Sequence, residues 1–93
     1  MSIMNIPQAL DLLRKSADLT TDLQASNSLW DIYGVISRAP ATQAATWSGK
    51  VKSVISYVSS GHYCGNYEEA KKILNKRFYG GRERDESAKM QGM

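Results

Sequence analysis

The chain contains one histidine and one cysteine, and they stand two residues apart in the run Gly61-His62-Tyr63-Cys64-Gly65. An imidazole beside a thiol is the pairing that makes a thiolate nucleophile, because the ring accepts the thiol proton. That chemistry also needs a third group to orient the ring, and no spacing in the sequence supplies one. A metal would need further ligands of suitable type, which no spacing provides either. The run, extended by Asn66 and Tyr67, reads instead as a packed turn whose aromatics contribute to a contact surface. No catalytic residue, cofactor or metal is assigned.

Two other short motifs fail on their own terms. Ser48-Gly49-Lys50 has the ending of a phosphate-binding loop, but Ala44 stands where the first glycine is needed and Val51 where Ser or Thr would hold the cation. Trp47, Ser48 and Gly49 resemble the Trp-x-Gly turn of the small secreted helical-hairpin proteins, and Tyr79 with Glu83 is similar to their Tyr-x-x-x-acidic export signal. Membership would imply two long helices meeting at that turn. Pro40 before it, Gly61 and Gly65 after it, and Gly80 and Gly81 within the second motif interrupt the pattern, so the family is not assigned.

The remaining chemistry is recognition. Lys71, Lys72, Lys76 and Arg77, followed by Arg82 and Arg84, form a basic set in which Lys72 and Lys76 lie one helical turn apart. Such a set suits an acidic protein face or successive phosphates. Glu68, Glu69, Glu83, Asp85 and Glu86 are interleaved with it and weaken a phosphate track, and no known nucleic-acid module frames it. Tyr57 lies off the main apolar stripe of its helix and Tyr79 ends the basic one, which makes them candidate contact residues, since Tyr and Arg are enriched where proteins bind. The candidate partner-binding set is thus Tyr57, Lys71, Lys72, Lys76, Arg77, Tyr79, Arg82 and Arg84.

Four amphipathic segments must position these residues. The strongest has Trp47, Val51, Val54, Ile55 and Val58 on one helical face, and Gly61 predicts its end near Ser60. A first helix is expected from Ile6 to about Leu23, capped by Asn5 with Gln8 and carrying Ile6, Leu10, Leu13 and Ala17, with Leu12, Leu19 and Leu23 widening the stripe. A second is expected from Leu29 to Ser37, capped by Ser28 with Asp31 and ended by Pro40. Residues Ala41 to Thr46 fit either a loop or an early start to the Trp47 helix. A last helix, Tyr67 to Phe78, is capped by Asn66 with Glu69 and ended by Gly80 and Gly81.

The expected architecture is therefore all-α: a domain over residues 1–81 of about four short helices, followed by a charged tail over 82–93. With 93 residues, 42% of them hydrophobic, the chain can bury one modest core and leaves much surface exposed. Its longest apolar runs fall far short of a membrane span, and a lone cysteine with no signal-like start fits a reducing cytoplasm. Net charge is +3, unevenly placed: three cations face four aspartates up to Gly49, and nine cations face five carboxylates after it. The expected function is a non-enzymatic protein that binds and regulates or inhibits another macromolecule. A protein is the first-choice partner, a phage-type inhibitor of host machinery is one setting, and a homo-oligomer is compatible. The alternative is a nucleic-acid binder using the basic helix and the tail.

Overall fold

Every regular element of the computed structural model, which describes residues 4–78, is helical: α1 (Ile6–Leu19), α2 (Leu23–Arg38), α3 (Ala41–Gly49), α4 (Val51–Ser59) and α5 (Tyr67–Ile73). A π-helical turn, Leu74–Phe78, continues α5. The tail expected over 82–93 lies outside the described residues.

Helix α1 begins as its sequence dictates. Asn5 Oδ1 accepts from the Gln8 amide at 2.9 Å while Gln8 Oε1 accepts from the Asn5 amide at 3.0 Å, so two otherwise unpaired donors are satisfied reciprocally. It stops earlier than expected. Thr20 is extended, and Asp22 then caps α2 through a bond from the Gln24 amide to Oδ1 at 3.0 Å. Leu23 therefore starts the second helix instead of ending the first.

The same correction removes Ser28 from its expected capping role. It lies inside α2, almost completely buried, and its Oγ accepts the backbone N–H of Cys64 at 2.9 Å. The polar-looking run Gln24–Ser28 is a helical stretch that buries its small residues, Ala25 and Ser28, and exposes Gln24 and Asn27. Pro40 ends α2 as anticipated, with Ala39 extended before it.

Residues 41–46 are helical. Neither Thr42 nor Thr46 caps α3; Thr46 Oγ1 instead donates back to the Thr42 carbonyl at 3.1 Å. The single helix expected from Trp47 to Ser60 is broken at Lys50, which has φ −113° and ψ 11°, immediately after the poor helix former Gly49. Five helices thus stand among the described residues where about four were expected. The apolar face survives the break: Trp47, Val51, Val54 and Val58 are all fully buried.

Helix α2 is the hub, packing against each of the other four helices. Its Leu29, Ile32, Val35 and Ile36 join Ala9, Leu13 and Ala17 of α1, the Trp47–Val58 face, and Ala70 and Leu74 in one core. Burying side chains of this size contributes about 1.5–3 kcal/mol each, so the core, and not helix propensity, holds these short helices together. Gly61, at φ +106°, and Gly65, at φ +88°, take conformations that side-chain-bearing residues rarely adopt, and so bracket the turn that returns the chain to α2.

Candidate functional site

The turn between α4 and α5 does not assemble a nucleophile. Cys64 is buried, and burial pushes its thiol up to about 11, which keeps it protonated at neutral pH. His62 is exposed, and its Nδ1 lies 3.1 Å from the Tyr57 carbonyl. A carbonyl can only accept, so Nδ1 carries the proton and the ring is tied to the backbone of its own turn. Among the described residues no three His, Cys, Asp or Glu side chains converge to hold a metal.

The structure brings Tyr57 and Arg77, two of the predicted binding residues, into one cluster. The Arg77 guanidinium carbon lies 5.1 Å from the Tyr57 ring centroid, His62 stacks on that ring at 4.1 Å and 12°, and Phe78 meets it edge-on at 5.8 Å. Tyr57 is accordingly half-buried, its ring occupied by intramolecular partners. Lys72 is paired with Glu69 at 3.6 Å. Lys71 and Lys76 are exposed and have no carboxylate partner among the described residues. Tyr79, Arg82 and Arg84 lie outside the described residues.

This cluster depends on the π turn. The indole Nε1–H of Trp47 donates to the Leu74 carbonyl at 3.2 Å in the buried core, on the residue where α5 passes into the π turn that carries Arg77 and Phe78. A second cation–aromatic contact, Arg38 over Tyr67 at 5.3 Å, ties the end of α2 to the start of α5.

A different surface stands out by exposure. Leu19 is 82% and Leu23 74% exposed, and Trp30 40% exposed, so among the described residues the large apolar side chains that face water lie at the α1–α2 corner and farther along α2. Leu23 and Trp30 are seven residues apart, two helical turns on one side of α2. Trp30 also meets Tyr33 edge-to-face at 5.4 Å, which fixes the indole against the helix. Sequence reading placed Leu19 and Leu23 on the buried stripe of a longer first helix. The signal that relocates them was present in Thr20-Thr21-Asp22, where two poor helix formers precede a strong N-cap residue.

The corner is held by Asp22. Besides capping α2, its carboxylate accepts the Tyr63 hydroxyl, joining the corner to the α4–α5 turn, and Ser26 Oγ donates to the Ala17 carbonyl at 3.0 Å across it. The Tyr63 hydrogen bond lowers the Asp22 carboxyl below its ordinary value and, in return, raises the tyrosine hydroxyl. A shallow groove on another face is lined by Met4, Gln8, Ser48, Gly49, Val51, Lys52 and Ser53.

No described helix is long and apolar enough to cross a membrane. No family model, no curated protein and no solved structure matches this chain.

Proposed function

We propose that the protein acts by binding another protein, with no chemistry of its own, in the manner of a small regulator or inhibitor. The observation that carries this reading is the exposure of Leu19 and Leu23 at the α1–α2 corner and of Trp30 two turns along α2, where the other large aliphatic side chains among the described residues are buried or half-buried. Leaving such side chains in water forgoes about 1.5–3 kcal/mol each. Trp is also prominent among the residues that dominate binding energy.

Nucleic-acid binding through Lys71, Lys76 and their neighbours is the second reading, favoured by the exposure of these two lysines. Against it, Arg77 is engaged by Tyr57, Lys72 by Glu69, and Glu68 shares the helix face. Capture from nuclease-treated lysate separates the two. The protein reading expects a polypeptide retained by the wild type and lost by Leu19→Gln/Leu23→Gln; recovery of nuclease-sensitive nucleic acid alone supports the second.

A further inference from the structure

The apolar corner has a charge of its own. Between Lys15 and Arg38 the sequence contains Asp18, Asp22 and Asp31 and not one lysine or arginine, and this stretch carries Leu19, Leu23 and Trp30. Asp18 and Asp22 each immediately precede an exposed leucine. Both are exposed and neither forms a salt bridge among the described residues; the Asp22 carboxylate accepts from neutral groups, the Tyr63 hydroxyl and the Gln24 and Ala25 amides. The nearby Lys15 is paired with Asp11, as is Arg14. The cations of the chain lie mostly after Gly49. The two exposed leucines are therefore flanked by two exposed carboxylates without a cationic partner among the described residues, while Asp31 is half-buried.

Resting on the protein-binding reading above, we propose that this corner docks onto a partner protein that presents an apolar face flanked by lysine or arginine. Apolar contact with Leu19, Leu23 and Trp30 supplies the affinity, and the aspartates select a basic rim and orient the encounter, because complementary charge at the edge of an interface acts chiefly on partner choice and association rate. The same aspartates disfavour an anionic nucleic acid or lipid surface at this corner.

The test uses two synthetic amphipathic helical peptides with the same leucine face, one flanked by lysines and one by glutamates, titrated into the full chain. The signals followed are the methyl resonances of Leu19 and Leu23 and the indole resonance of Trp30. The lysine peptide is expected to shift all three, with affinity at least about threefold weaker when salt rises from about 50 to about 300 mM, as rim charges become screened. The glutamate peptide is expected to leave them in place. Asp18→Asn, which leaves the Asp22 cap and its Tyr63 bond in place, should narrow the preference for the lysine peptide by at least about twofold. If both peptides bind the wild type equally, the charge selection proposed here is overturned while an apolar binding corner stands. If neither moves the leucine signals, the corner is not a docking surface and both readings fall. Concentration-dependent shifts without peptide would make a second copy the occupant and overturn the basic partner.

Discussion

The Trp47 indole nitrogen and the Leu74 carbonyl oxygen lie 3.2 Å apart, joining residues 27 positions distant in sequence inside the core. Trp47 lies in the last turn of α3, and Leu74 opens the π turn packed against it, so this bond fixes where Arg77 and Phe78 meet Tyr57. Removing the donor while keeping an aromatic ring, as in Trp47→Phe, deletes this buried hydrogen bond and opens a small void. The expected loss is about 0.5–1.5 kcal/mol for the hydrogen bond alone, read from the urea midpoint at unchanged slope. Trp47→Ala should cost more, about 3–5 kcal/mol.

Ser28 offers a parallel case with a backbone donor. Its Oγ is the acceptor for the Cys64 N–H, and both residues are buried. Ser28→Ala should destabilise by about 1–3 kcal/mol and speed hydrogen exchange at the Cys64 amide. Asn27→Ala, at the exposed neighbouring position, should stay within about 0.5 kcal/mol of the wild type.

The Cys64 thiol should be inert in the folded protein. Its protonation up to about 11 and its burial both deny a reagent the thiolate. Iodoacetamide at neutral pH should label it only slowly, with a sharp rise in rate through the urea unfolding transition. Rapid labelling of the native chain would contradict the buried turn.

The Asp22–Tyr63 bond gives stability a defined pH window. Asp22 titrates below its ordinary value of 3.8 in the folded chain, so its contribution is present above 3.8 and is lost as pH falls through the lowered value. Tyr63 titrates above 10.0, so its contribution is present below 10.0 and is lost as pH rises through the raised value. Tyr63→Phe should therefore lower the thermal midpoint most at neutral pH and converge with the wild type at both extremes. A difference constant across pH would rule the bond out.

Much of the fold was legible because capping and periodicity are local. Asn5 with Gln8, Pro40, Gly61 and Asn66 each mark a boundary where the structure has one. Trp47, Val51, Val54 and Val58 are buried as their spacing requires and Ile55 is half-buried, although Lys50 breaks the helix beneath them. What failed was long-range. Ser28 looks like a cap until Cys64 arrives from 36 residues away to use its hydroxyl, and Tyr57 looks free until the π turn places Arg77 beside it. Leu19 and Leu23 have the periodicity of core residues, and only the chain reversal begun at Thr20 turns them outward. The basic residues were identified as a group, but which of them were already paired depended on the packed structure.

The leucine interface is decided by the affinity of the captured partner protein for three forms of the chain: wild type, Leu19→Gln/Leu23→Gln and Lys71→Glu/Lys76→Glu. All four substituted positions are exposed, so folding should be retained in each, as circular dichroism would verify. An interface built on Leu19 and Leu23 predicts binding at least about tenfold weaker for the leucine variant, the scale expected when binding-surface anchors are truncated, and within about twofold of wild type for the lysine variant. Wild-type affinity in the leucine variant together with loss of binding in the lysine variant would contradict it and move the interface to the basic face of α5.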